Sequence, residues 1–159
     1  MLLYRIAKSK YINDLSGEGP RLGGSRWTSV GIPVVYVAEN RALAALEFYG
    51  HVKSSLVFPP LKLATIEIPE TVSIRKLDIP GLPPYWKDYP PPDELQNIGT
   101  GWILSGEFIL KVPSVQVPNE YNYILNSAHQ DIKKVVVTSV EDFSYDVRLI
   151  NTKLLSKNL

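Results

Sequence analysis

Nine of the thirteen prolines in this 159-residue chain fall between residues 59 and 92. Proline fixes φ and has no amide proton, so neither a helix nor a central strand can run through the part of this stretch where the prolines crowd together. Its densest part, 80–92 (PGLPPYWKDYPPP), is also too aromatic for a bare linker, because Tyr85, Trp86 and Tyr89 want a surface to pack on. We read it as an ordered loop inside one domain. Helices are then confined to two places. Residues 41–52 (RALAALEFYGHV) follow Asn40, a favoured N-cap, and are rich in Ala and Leu. Leu43, Leu46 and Val52 with Ala42 and Ala45 make its expected buried face, and Glu47 sits in its most apolar part. Residues 93–105 (DELQNIGTGWILS) predict a second helix, weakened by Gly99 and Gly101.

The remaining apolar segments are short and strand-like. They are 2–7 (LLYRIA), 33–38 (PVVYVA, with Pro at its first position), 61–68 (LKLATIEI, alternating with period two) and 72–77. Further strands are expected at 108–112 and 114–117, broken at Pro113, at 121–126 and 134–140, and near 143–149. About seven short strands with one or two helices predict a single α+β domain over 1–159, with a mixed, mostly antiparallel β core. No parallel βαβ alternation is visible. Residues 11–25 hold Asn13, Asp14, Ser16, Gly17, Gly19, Pro20, Gly23, Gly24 and Ser25, which predicts a long loop with little local structure. Loops of that length in a compact domain are often functional.

Composition removes several classes of activity. Seventeen basic and sixteen acidic residues leave a net charge of +1, which gives no basic excess to propose nucleic acid as a ligand. The absence of Cys excludes disulfides, thiolate metal sites and thiol nucleophiles. Two His, His51 and His129, cannot make a three-His zinc site, and no metal is expected. No apolar run approaches the roughly 18 residues of a membrane helix, and residues 1–20 hold no stretch of signal-peptide length. The expectation is a cytoplasmic protein.

No generic catalytic motif is present, but three residues on consecutive elements make a suggestive set. A glycine-rich loop ends in Arg26, a strand carries Tyr36 and an apolar helix carries Glu47, all within 22 positions. Arg offers a planar fork suited to a diphosphate. Tyr offers a ring face to a heterocycle, and a partly buried carboxylate can stabilise positive charge developing on a ribose. Together they fit a dinucleotide such as NAD cleaved at its N-glycosidic bond, a reaction with the oxocarbenium problem that glycosidases solve with carboxylates. Each residue also has a plainer reading. Arg26 can be a solvated loop residue, Glu47 a helix-surface carboxylate, Tyr36 a core residue, Ser114 a strand-edge hydroxyl and His129 a surface-turn residue.

The order and spacing of several segments resemble the RES-domain family, named for shared Arg, Glu and Ser residues. They are Tyr4-Arg5, Leu15-Ser16-Gly17-Glu18-Gly19, Gly23-Gly24-Ser25-Arg26-Trp27, Gly31-Ile-Pro33-Val-Val-Tyr36 and Ala42-Leu43-Ala44-Ala45-Leu46-Glu47. The match continues through Trp102-Ile-Leu-Ser105-Gly106, Val112-Pro113-Ser114-Val115 and 117–129. It is strongest over 4–129.

The resemblance implies a toxin of bacterial Res–Xre toxin–antitoxin systems, with a fold like the NAD-binding core of ADP-ribosyltransferase toxins. Such proteins consume NAD as substrate, by phosphorolysis or hydrolysis, with no separate cofactor, and some ADP-ribosylate a protein. The implied partner is an Xre-like helix-turn-helix antitoxin that occludes the active site, so that any oligomer is a toxin–antitoxin assembly. Carried onto this chain, Arg26 is the family Arg, Glu47 the Glu and Ser114 the Ser, expected to orient substrate by hydrogen bonding, with Ser105 and Ser127 as alternative serines and Tyr36 as an aromatic wall. The chain departs from the family pattern at Ser25, inserted before Arg26, at Thr28 in place of Asn, and at Ser127 and Gln130, where Pro is common. A competing reading from another class is a non-catalytic partner-binding module that uses loop 80–92 as its docking surface.

Overall fold

The computed structural model describes residues 1–52 and 59–149. Its strands are β1 (Leu2–Lys8), β2 (Val34–Ala38), β3 (Leu61–Glu67), β4 (Ile74–Lys76), β5 (Ile109–Pro113), β6 (Tyr121–Asn126) and β7 (Val136–Phe143). The α-helices are α1 (Glu18–Gly23), α2 (Arg41–His51) and α3 (Asp93–Leu104). The seven strands form one sheet in the order β4-β5-β6-β2-β1-β3-β7. All neighbours are antiparallel except β4 and β5. The α+β class and the mixed, mostly antiparallel core are as the sequence predicts.

Strand alternation assigns two faces. Val35, Val37, Ile66, Ile109, Tyr123 and Leu125 share one core cluster, closed over by loop residues such as Ile12 and Leu15. Val34, Leu110, Val112 and Ile124 point the other way, into a cluster with Trp27, Trp86, Leu95 and Trp102. Helix α3 covers this second face. Farther along it, α2 buries Leu43 and Ala44 against Ile6, Leu61 and Leu63. Each fully buried aliphatic side chain of these clusters contributes about 1.5–3 kcal/mol of transfer free energy.

Several expectations are corrected. The parallel β4–β5 pair is a crossover that the sequence hides, because β4 is three exposed residues and the return path begins in the proline-rich loop. Residues 11–25 are not a structureless loop. They contain α1, whose first turn carries an exposed Glu18–Arg21 ion pair, and the end of a 3-10 turn at Ser9–Tyr11. Gly17 at φ 73° leads into α1, and a Cβ there would lie 2.4 Å from the Val34 amide nitrogen, so the segment rests directly on β2. Strand β5 runs through Pro113, while 114–117 is a turn pinned by Ser114. The expected strand at 143–149 is absent beyond Phe143, the last residue of β7, and 147–149 is helical. In α2, Leu46 is 40% exposed and Ala42 is exposed, because Leu43 and Ala44 take the inner stripe. No helix among the described residues is long and apolar enough to cross a membrane.

Candidate active site

The helix-covered face of the sheet carries the site. On β2 the residues that point this way are Val34, Tyr36 and Ala38, and on β6 they are Asn122 and Ile124, by the same period of two. Val112 pairs with Asn122, and Ser114 follows two positions later on the same face. Glu47 lies four residues after Leu43 and three after Ala44, so the rotation that buries those two also turns Glu47 toward the sheet. The Asn40 side chain fixes that rotation. Its Oδ1 accepts from the Leu43 amide at 2.7 Å, capping α2, while its Nδ2 donates to Glu120 Oε2 at 3.0 Å. Glu120 accepts in turn, through its carbonyl, from the Ser114 amide at 2.8 Å. The start of α2 is thereby tied to the turn that carries Ser114.

Glu47 is half-buried and bound on one oxygen. Its Oε1 accepts from the Ser114 hydroxyl at 2.8 Å and from Asn122 Nδ2 at 2.6 Å. Among the described residues Oε2 has no hydrogen-bond partner, which leaves one carboxylate oxygen available to a ligand. Ser114 is buried, and its Oγ also accepts from the amides of Gln116 at 3.0 Å and Val117 at 3.1 Å. A serine hydroxyl has one proton and two lone pairs. All are used within the protein here, so in this arrangement Ser114 holds the carboxylate.

Arg26 sits at the other side. Its Nη1 donates to the carbonyls of Trp86 at 2.7 Å and Asp88 at 3.1 Å, both in the proline-rich loop. Burial lowers the guanidinium from its ordinary value, against the opposing pull of Glu47, Tyr36 and Asp88. Glu47 and Arg26 are therefore close enough to feel each other's charge without forming an ion pair. Tyr36 is anchored by its hydroxyl, 2.5 Å from Ser25 Oγ, and burial pushes its phenol up to about 12. Trp86 is 5% exposed and packs against Trp27 with ring centroids 6.4 Å apart, so the proline-rich loop turns its tryptophan inward. Tyr85 and Tyr89 are exposed, so of the three aromatics expected to pack on a surface only Trp86 does, and it is not part of an outer docking surface.

The structure bonds Ser114 to Glu47 and sets Arg26 within electrostatic reach of Glu47 and Tyr36. The alternative serines lie elsewhere. Ser105 Oγ donates to the Trp102 carbonyl at 2.6 Å at the end of α3. Ser127 Oγ is buried without a partner among the described residues, beside Gly17. His129 accepts from the Asp131 amide and stacks on Phe108, a structural role. Sequence reasoning gave Asn122 no role, although its place two residues before the inward Ile124 was the available signal. It also could not supply the Trp86 and Asp88 carbonyls, which belong to the backbone.

A mixed sheet bearing a held carboxylate within electrostatic reach of a half-buried guanidinium, with a tyrosine between them in the chain, has the chemistry to receive a molecule with anionic and cation-forming parts. The RES domain profile matches residues 2–147, and the chain belongs to the RES domain family. It is 40% identical over 156 residues to Toxin Res of Photorhabdus laumondii, covering 96% of this chain and 99% of that protein. It is 37% identical over 147 residues to the Prs ADP-ribosylating toxin of Sphingobium sp. (strain YBL2), covering 91% of each. In fold it resembles a chain of the crystal structure of the M. tuberculosis MbcT–MbcA toxin–antitoxin complex. The TM-score is 0.73 at 17% identity, and the match covers 99% of this chain and 87% of that one.

Proposed function

We propose that this protein is a toxin that consumes NAD by breaking its nicotinamide–ribose bond, and that a helix-turn-helix antitoxin neutralises it. The observation that carries the reading is the Glu47 carboxylate, fastened through Oε1 and, among the described residues, without a partner at Oε2, within electrostatic reach of the Arg26 guanidinium, whose remaining donors have no partner among those residues. Arg26 binds the diphosphate, and the Tyr36 ring packs on nicotinamide or its ribose. As the bond from ribose C1′ to the pyridinium nitrogen breaks, its electron pair neutralises the leaving nicotinamide. Positive charge then develops on the ribose, where Glu47 stabilises it. Phosphate or water forms the new bond at C1′, and an attacking water releases a proton. Ser114 and Asn122 hold Glu47 in place for this step.

Purified protein mixed with NAD should release free nicotinamide, measured by chromatography, and phosphate dependence of the rate separates phosphorolysis from hydrolysis. In cells, induced expression should stop growth as NAD falls, and co-expression of an adjacent helix-turn-helix protein should restore both. Normal growth with undiminished NAD on strong soluble expression would sink the toxin reading. A second reading, transfer of ADP-ribose to a protein, is favoured by the 37% identity to a relative named for that activity. Labelled NAD that ends on a protein band rather than in small molecules would select it.

A further inference from the structure

The Arg26 turn and the Tyr36 ring come from different elements, and one side chain joins them. Ser25 Oγ lies 2.5 Å from Tyr36 Oη and 2.8 Å from Thr28 Oγ1, and it accepts from the Thr28 amide at 3.1 Å. Its single proton and two lone pairs are thus all engaged. Its backbone is held as well: the Ser25 amide donates to the Thr28 carbonyl at 2.8 Å, and the Ser25 carbonyl accepts from Gln96 Nε2 of α3 at 2.8 Å. Thr28 is fully buried and Ser25 and Tyr36 are half-buried, so the Thr28 end of this small hydroxyl cluster is shielded from water that could otherwise replace its bonds. Ser25 immediately precedes Arg26 and is one of the positions at which this chain departs from the family pattern.

We infer that Ser25 is a positioning residue that locks the Arg26 turn to the Tyr36 phenol, so that the anion-binding fork and the aromatic wall form one preformed unit. Preorganisation of this kind acts on ligand affinity, because groups already fixed lose little freedom when the ligand arrives. The inference rests on the NAD reading for its ligand.

The test measures NAD affinity by calorimetry, well below each variant's melting temperature, together with steady-state KM and kcat. Ser25→Ala should raise Kd and KM by about 3–10-fold while kcat falls no more than about 2-fold, the pattern of lost preorganisation. Ser25→Thr keeps the hydroxyl and should restore most of the affinity. Placed in a Tyr36→Phe background, Ser25→Ala should cause little further loss, because the phenol it holds is already gone. Parental affinity in Ser25→Ala, or an equal loss in the Phe background, would overturn the inference. If the parent binds no NAD, or Arg26→Ala binds it as the parent does, the functional reading fails instead.

Discussion

The two halves of the site are built in different ways. The carboxylate half hangs on regular structure: Glu47 comes from α2, Asn122 from β6, and Ser114 from the residue just after β5. The Glu47 carboxylate is bound by two side chains, and every proton and lone pair of Ser114 is used, two of them on backbone amides. The guanidinium half hangs on irregular structure. Arg26 sits in a turn and is gripped by two carbonyls of a proline-rich loop. A group that must meet charge developing at one atom gains from a rigid mount. A group that clamps an anionic ligand can sit on a loop, provided that the loop is itself held. Here Trp86 packing on Trp27 and the Ser25 cluster do the holding.

If the carboxylate half carries the chemistry, Glu47→Gln should cut nicotinamide release by about 10²–10⁴-fold with a much smaller change in NAD affinity. Near-normal turnover in that variant would remove the distinction between the halves. The next largest effect is on folding of the guanidinium half. A Cβ at Gly99 of α3 would lie 1.6 Å from the Trp27 carbonyl oxygen. Gly99→Ala must push α3 off the Arg26–Trp27 turn, at about 3 kcal/mol or more, read as a lower denaturant midpoint or loss of soluble protein. An unchanged midpoint would show that this packing is dispensable.

Asn122→Ala probes the carboxylate mount without touching the charge. Turnover should fall by about 10–100-fold with KM nearly unchanged, since a small misplacement of a catalytic group is expensive. A rise in KM alone would assign Asn122 to binding instead. Arg26→Lys keeps the charge and loses the planar fork, so it should weaken NAD binding by about 10-fold rather than rescue it. Loss of its bonds to Trp86 and Asp88 should cost about 1 kcal/mol of stability, a drop of a few degrees in Tm.

The smallest effect is a pH dependence. The Tyr36 phenol is raised from 10.0 to about 12 by burial, so the folded state holds that proton more tightly than the unfolded chain does. The resulting stability is complete below pH 10 and is lost as pH rises toward 12. Tyr36→Phe should therefore flatten the fall of Tm across that window. Some slope should remain, because burial also raises Tyr145. An unchanged alkaline slope would place the Tyr36 hydroxyl in water.

Much of this was legible in the residues, and the parts that were not have a common cause. Short-range chemistry marked β1, β2, β3, β6, α2 with its Asn40 cap, and α3, since each depends on the period, cap or composition of one segment. The RES pattern singled out Arg26, Tyr36, Glu47 and Ser114 by order and spacing. Tertiary structure decided the rest. The β4–β5 parallel pair, the rotation of α2 that exposes Leu46 and turns Glu47 inward, and the bond from Ser114 to Glu47 all depend on which elements become neighbours. Asn122 and the carbonyls of Trp86 and Asp88 entered the site for the same reason. A side chain's period is written in its own strand, but the partner it meets is set by strand order and register, and these bring together residues as far apart in the chain as Glu47 and Asn122.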